Sequence, residues 1–288
     1  MAIIGIFASI IAAVFQALNY AISKKCQETY HLYGLKVLIA SHIGMGFILL
    51  WPFIFLRYYS YFEWNHLIDL LKINIPFLMA QYFIFLSLRV SDASIVSPLL
   101  VLKLPVLTGI SVVLFHDTFT AFQYSAIAFI LVISWIFSSL SGQIKFKALL
   151  FVFITCCGYV TSDIAITEYT KKFATNVFEQ SLIANSYNYI AGALFFIPCA
   201  FIKGVTIKDI YHCRYISLIW IISVLFIVIG FKLSGVVSGN IIQTLRGPFG
   251  IIITLLFFKD QILDHGEHWK RKIFLSILMT LAVVVFYI

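Results

Sequence analysis

The chain has 288 residues, of which 62% are hydrophobic and 11% are charged, and its mean hydropathy is +1.02. Soluble domains carry roughly 25% charged residues, so this composition excludes a water-soluble enzyme or DNA-binding domain. The formal net charge of +8 does not indicate a nucleic-acid partner, because the Lys and Arg residues are scattered between apolar blocks, as membrane-flanking anchors are. The sequence predicts an all-α integral membrane protein.

Ten apolar segments of spanning length follow one another along the chain. The first has no positive residue before it and runs for about twenty residues to Lys24, which predicts a spanning helix rather than a cleaved signal. Each segment is long enough to cross the bilayer, and the connections are too short for an extramembrane domain. The ten segments lie near 3–22, 35–56, 73–89, 93–115, 119–138, 146–167, 180–202, 214–232, 236–258 and 271–288.

The chain contains an internal repeat. Residues 87–117 align without gaps with residues 230–260 at an offset of 143. Segments 2 and 7 match at an offset of 146, which pairs Gly46 with Gly192. The longer alignment pairs residues of like chemistry, namely Arg89 with Lys232, Lys103 with Arg246, Pro105 with Pro248 and Asp117 with Asp260.

This repeat predicts two five-helix halves, residues 1–142 and residues 143–288. Because five is odd, the second half enters the membrane from the opposite side, so the repeats are inverted. Inverted repeats provide two nearly equivalent arrangements around a site near the midplane, which is the geometry of alternating access. Transport is therefore the predicted class of function.

Ten short-looped helices in two such halves, with the block SLRVSDASIVSPLL and its echo after the third and eighth segments, resemble the drug/metabolite transporter superfamily, EamA type. The resemblance covers essentially the whole chain and implies transport of a small metabolite. In one respect the chain departs from the family pattern. Where the family often has Gly-Glu after the fourth and ninth helices, this chain has His116-Asp117 and Lys259-Asp260.

Lys103 and Arg246 are each about the eleventh residue of an apolar segment, which places them near the bilayer centre. An ionisable group there costs roughly 2.5–3.5 kcal/mol on insertion scales. One interpretation is that both cations bind a substrate carboxylate or phosphate. The alternative is that each pairs with a buried acid, for which Asp163 is the candidate, or with carbonyls freed beside a proline. Resemblance to the triose-phosphate/phosphate translocator branch implies basic residues at the substrate phosphate.

Other polar side chains inside the segments are candidates for substrate binding, with an interhelical hydrogen bond as the alternative for each. His42 has a further possible role, since it could titrate near neutral pH and couple transport to protons. Prolines in the fourth and ninth segments predict kinks or gates. The predicted substrate-binding side chains are Gln81, Tyr82, His42, Asn188, Asn240 and Gln243, and the prolines are Pro98, Pro105 and Pro248.

The sequence thus predicts a secondary transporter or exchanger of a small anionic or zwitterionic metabolite, such as an amino acid, an organic acid or a phosphorylated metabolite. The alternative is a flippase for a lipid or lipid-linked phosphate headgroup. We expect no enzymatic activity, cofactor, metal or nucleic-acid partner, and contact with membrane lipids. The composition suits a bacterial plasma (inner) membrane.

Two features leave questions open. The motif DHGEH at 264–268 has a metal-like spacing of two histidines, but it is interpreted as a solvated loop rather than a metal or enzyme site.

Five Lys and Arg lie on the side of the termini and thirteen on the other, which favours external termini. The family resemblance implies cytoplasmic termini, so the orientation stays open.

Overall fold

In a computed structural model of the chain, the structure describes residues 2–32, 34–90, 99–140, 143, 145–257 and 269–287. Within these ranges the fold consists of helices and their connections, with no strand. Two short 3₁₀ helices, Tyr58–Tyr61 and Leu100–Leu102, accompany the α-helices. The α-helices are α1 (Ala2–Tyr30), α2 (Leu35–Phe55), α3 (Asn65–Val90), α4 (Lys103–Phe115), α5 (Ala121–Ser139), α6 (Phe146–Thr170), α7 (Val177–Lys203), α8 (Ile207–His212), α9 (Arg214–Ser234), α10 (Val236–Gln243), α11 (Arg246–Phe257) and α12 (Trp269–Tyr287).

Among the described helices, six are long and apolar enough to cross a membrane. These are α1, α2, the Asn65–Ile84 part of α3, α6, α7 and α9. Three shorter apolar helical stretches, Leu100–Leu114, Ala121–Ile136 and Phe274–Tyr287, accompany them. The prediction of an all-α chain rich in long apolar helices is confirmed, and these helices are compatible with an integral membrane protein.

Two predicted segments are interrupted near their centres. The fourth segment enters α4 at Lys103 directly from the 3₁₀ helix Leu100–Leu102. In the ninth, α10 ends at Gln243 and α11 begins at Arg246. The amides of Thr244 and Leu245 bond three residues back, to Ile241 and Ile242, which is a tighter turn than an α-helix makes. Each central cation is therefore the first residue of a helix.

The prolines of these two segments lie just after the interruptions. Pro105 and Pro248 are each the third residue of their helices, α4 and α11. A proline has no N–H to donate, and in the first turn of a helix that N–H has no partner within the helix. Proline is thus tolerated there, because the interruption comes before it.

Close helix packing depends on small residues. A Cβ on Gly46 of α2 would lie 2.3 Å from Ala193 Cβ of α7, and one on Gly158 of α6 would lie 2.5 Å from the Pro76 carbonyl oxygen of α3. Small residues allow membrane helices to approach closely enough to pack by van der Waals contact. The main packing partners are α1 with α9, α3 with α6, α2 with α7 and α5 with α12.

Candidate functional site

A cavity of about 110 Å³ lies between the helices on which the central cations are placed. An apolar cavity of about 150 Å³ holds benzene, so the space in this conformation suits a small solute. Its walls combine aromatic, amide and charged side chains. The lining residues are Gln16, Tyr20, His42, Ile73, Asn74, Phe77, Leu100, Lys103, Tyr159, Ser162, Asp163, Ile166, Asn188, Tyr189, Trp220, Val224, Ile227, Val228, Phe231, Gln243 and Arg246.

Lys103 forms an ion pair with Asp163 inside this cavity. The two side chains are only 15% and 21% exposed, so the pair is largely removed from solvent. Asn240 donates a 3.2 Å hydrogen bond from Nδ2 to Asp163 Oδ2, and the Lys103 ammonium lies 6.0 Å from the centre of the Tyr159 ring. Of the two interpretations of Lys103, the geometry therefore supports pairing with a buried acid, and Asn240 acts through that acid.

Arg246 has a different environment. Its Nη1 donates a 3.4 Å hydrogen bond to Gln16 Oε1, and no carboxylate of the described residues lies within ion-pair distance. Gln243, one turn earlier, is 4% exposed, and its Nε2 has no hydrogen-bond partner. Buried polar groups are nearly always hydrogen-bonded. Arg246 and Gln243 therefore leave donors available in the cavity wall.

His42 and Asn188 also line the cavity. The Nδ1 atom of His42 lies 2.9 Å from the Leu38 carbonyl. Because a carbonyl only accepts, Nδ1 carries the proton, and Nε2 of the neutral ring is an acceptor. Asn188 Oδ1 accepts a 2.8 Å hydrogen bond from Asn74 Nδ2. Both side chains are thus partly engaged within the protein.

Gln81 and Tyr82 do not line the cavity. Gln81 Nε2 donates a 2.9 Å hydrogen bond to the Tyr159 hydroxyl, so Gln81 contacts a residue of the cavity wall without lining the cavity itself. Tyr82 is 58% exposed on the outer side of α3, and the prediction that it binds substrate is not supported. Successive helix residues are rotated by about 100°, so a face that directs Gln81 toward α6 directs Tyr82 away.

Pro105 and Pro248 do not line the cavity as the described residues form it. Pro105 is exposed and Pro248 is half-buried. Within the described residues, these two prolines are related to the site only because they follow the two helix interruptions. Pro98 lies outside the described residues, as does the DHGEH motif. Among the residues that the structure does describe, no group of three or more His, Cys, Asp or Glu side chains could hold a metal ion.

An aromatic cluster adjoins the cavity wall. Ile166 of the wall belongs to the same buried cluster as Tyr169, Phe173 and Tyr187. The rings of Phe173 and Tyr187 are stacked with centroids 6.3 Å apart, and the Tyr187 hydroxyl donates a 2.8 Å hydrogen bond to the Tyr58 carbonyl.

Several wall residues were not predicted, although the repeat could have identified them. The offset of 143 that relates Lys103 to Arg246 also relates wall residues on other helices, and the offset of 146 relates two more. The related pairs in the wall are Gln16 with Tyr159, Tyr20 with Asp163, Phe77 with Trp220, Leu100 with Gln243, Lys103 with Arg246 and, at 146, His42 with Asn188.

No protein-family profile and no curated protein matches this chain. Among solved structures, 27 chains match. One of them, described only as the crystal structure of a protein, superimposes with a TM-score of 0.66 at 12% sequence identity. The match covers 99% of this chain and 95% of that chain. This likeness shows that the fold as a whole occurs in a solved structure.

Proposed function

We propose that this protein is a secondary transporter that moves a small anionic or zwitterionic metabolite across a membrane by alternating access. The observation that carries the proposal is the composition of the cavity wall, in which the two halves of the sequence contribute residues at equivalent positions. In a protein with inverted repeats, such a cavity is expected on the pseudo-two-fold axis, where transporters of this architecture bind substrate.

The packing of the helices supports the inverted repeat. Numbered as the ten predicted segments, α1 packs on the eighth segment (α9), and α3 packs on the sixth (α6). If segments 1–5 exchange places with segments 6–10, the contact between segments 1 and 8 becomes the contact between segments 6 and 3. The same exchange leaves the contacts of α2 with α7 and of α5 with α12 unchanged. A pattern that survives this exchange is expected of two halves related by a two-fold axis.

The interrupted helices support a site for an anion. Lys103 and Arg246 are the first residues of α4 and α11, so each cation lies where its segment is interrupted. In transporters with inverted repeats, interrupted helices contribute to the substrate site near the midplane. With Arg246 unpaired by any acid of the described residues, the cavity has positive charge for a ligand to neutralise.

We further propose membership of the drug/metabolite transporter superfamily, EamA type, and a bacterial plasma (inner) membrane as the location. The ten-segment order, the five-and-five packing and the sequence blocks around Lys103 and Arg246 support this assignment. In the proposed cycle the protein carries out no covalent chemistry. Binding at the central cavity and rearrangement of the two halves are sufficient.

The test is reconstitution of the purified chain in liposomes and measurement of counterflow with labelled amino acids, organic acids and sugar phosphates. The Lys103→Ala/Arg246→Ala variant removes both central cations. Its matched control is Lys147→Ala/Arg271→Ala, which removes one Lys and one Arg from exposed positions and changes the net charge equally.

We expect counterflow of one class of solute, retained in the control variant and lost in the cavity variant. Flux no greater than in protein-free liposomes for every class would refute the transport proposal. Equal flux in the cavity variant would refute the anion site. Binding of amphiphiles alone would favour a flippase instead.

A further inference from the structure

We infer that the cavity selects a solute with a net charge of one negative unit, such as a monocarboxylate, and that Tyr20 sets this selectivity. The inference rests on the proposed function and narrows its substrate class. It excludes dianions such as phosphate monoesters and dicarboxylates as preferred substrates.

The argument begins with the charges that face the cavity. Lys103, Asp163 and Arg246 are the charged residues in the described wall. Lys103 and Asp163 form an ion pair and cancel. Arg246 remains, held by the neutral amide of Gln16 at 3.4 Å. The wall therefore has a net charge of one positive unit, which one negative charge on a ligand neutralises.

The two cations occupy positions related by the repeat, and their neighbours on the facing helix differ at two positions. Lys103 lies against Tyr159 of α6, and its acid, Asp163, is one turn further along the same helix. Arg246 lies against Gln16 of α1, which is related to Tyr159 by the offset of 143. One turn further along α1 is Tyr20, the counterpart of Asp163.

Residues four apart lie on one face of a helix, so Tyr20 shares a face of α1 with Gln16, as Asp163 shares a face of α6 with Tyr159. Tyr20 lines the cavity and is 43% exposed. A phenol is neutral at physiological pH and cannot cancel the guanidinium charge. The second half thus supplies a counter-ion for Lys103 of the first half, whereas the first half supplies none for Arg246 and leaves that role to the ligand.

A dianion would leave one uncompensated negative charge in a cavity surrounded by apolar helices. Uncompensated charge at membrane depth is unfavourable, whichever its sign. The unpaired Nε2 donor of Gln243 adds a hydrogen bond for the same bound group, without adding charge. Charge neutralisation therefore favours a monoanion over a dianion of equal size.

The test uses oxamate and oxalate at pH 7.5, which are planar molecules of nearly equal size with one and two negative charges. Dissociation constants are obtained from thermal stabilisation of the detergent-purified chain. For the unmodified protein we expect oxamate to bind about tenfold more tightly than oxalate. The Asp163→Asn variant frees the Lys103 charge, so its preference should reverse toward oxalate. Asp163→Glu, the charge-retaining control, should keep the original preference.

The Tyr20→Asp variant gives Arg246 an internal counter-ion, and we expect oxamate binding to weaken at least about tenfold relative to Tyr20→Asn, which has nearly the same shape and no charge. This comparison stays informative if Asp163→Asn does not fold. Equal oxamate affinity of the two Tyr20 variants, oxalate binding at least as tight as oxamate binding, or stabilisation of the unmodified protein by neither anion would each overturn the inference. Counterflow of a dianion that depends on Arg246 would overturn it while leaving the transport proposal intact.

Discussion

The Thr155 hydroxyl on α6 lies 3.2 Å from the backbone carbonyl oxygen of Ala80 on α3, and its proton is shared between this oxygen and the Phe151 carbonyl, 2.9 Å away on its own helix. At the offset of 143, the counterpart of Thr155 is Ala12 on α1, and the counterpart of Ala80 is Ser223 on α9. The Ser223 hydroxyl donates a 3.1 Å hydrogen bond to the Ala12 carbonyl. The same interhelical contact thus occurs twice, with the donor on the second half of the chain in both cases.

Removal of these hydroxyls tests how much the paired contacts stabilise the fold. We expect Thr155→Val and Ser223→Ala each to lower the free energy of unfolding by about 0.6 kcal/mol, the average for interhelical hydrogen bonds in a membrane protein. The double variant should show the sum, because the two contacts lie on different helix pairs. Thermal unfolding in detergent measures the changes. An increase in stability of either single variant would contradict this prediction.

Gly46→Ala should destabilise the contact of α2 with α7. The added methyl would lie 2.3 Å from Ala193 Cβ and 2.8 Å from the Tyr189 carbonyl oxygen, so the helices must separate. Overpacking of this kind costs about 1–3 kcal/mol. Gly109→Ala on α4 is the control, because its methyl would meet nothing within 4 Å. If both variants unfold at the same temperature as the parent, α2 and α7 do not pack as described.

Trp220 should report ligand binding through its fluorescence. It lines the cavity and donates a 2.8 Å hydrogen bond from Nε1 to the Tyr189 hydroxyl, whereas Trp51, Trp64 and Trp135 are exposed. A solute in the cavity changes the polarity around this indole, so titration with oxamate should change the emission. The Trp220→Phe variant should lose that change. A full response in the variant would place the binding site elsewhere.

Cys213 should react slowly with maleimides in the folded protein. It lies in the turn before α9, outside the candidate spans, and burial raises the pKa of its thiol to about 12. The thiolate is the reactive form, and a higher pKa means less thiolate at any pH below it. At pH 7.5 the reaction should be about a thousandfold slower than for an ordinary thiol, since three pKa units separate them.

Mass spectrometry of the alkylated peptides measures this rate, with the SDS-unfolded chain as the control. In the unfolded chain the pKa returns to its usual range and Cys213 should be alkylated readily. Rapid alkylation in the folded protein would mean that the turn before α9 is open to the reagent.

The site could be predicted in part because charged residues within long apolar segments are easily recognised in a sequence. Lys103 and Arg246 are conspicuous in apolar segments, and the structure places both in one cavity. Hydrophobicity identifies such residues but does not give their partners. Asp163 could be named as the candidate acid, but only the structure shows that it pairs with Lys103 and so joins α4 to α6.

The sequence also did not show toward which side of its helix each polar side chain points. Gln81 and Tyr82 are adjacent in sequence, and both side chains carry polar groups. Gln81 forms a hydrogen bond with Tyr159, whereas Tyr82 is exposed. In a segment that is apolar on all sides, periodicity does not identify the inner face. The repeat offset carries more information, because it relates Tyr20 to Asp163 and Phe77 to Trp220 across the cavity.

The guanidinium of Arg246, which has no acidic partner among the described residues, has an electrical consequence. In the proposed cycle, a monoanion neutralises the cavity, so the loaded protein rearranges without moving net charge at the cavity through the membrane. The empty protein returns with the Arg246 charge uncompensated. Membrane voltage acts on charge at up to about 2.3 kcal/mol per 100 mV for a full crossing. A change of membrane voltage should therefore alter the return of the empty protein while leaving exchange of solute for solute nearly unaffected.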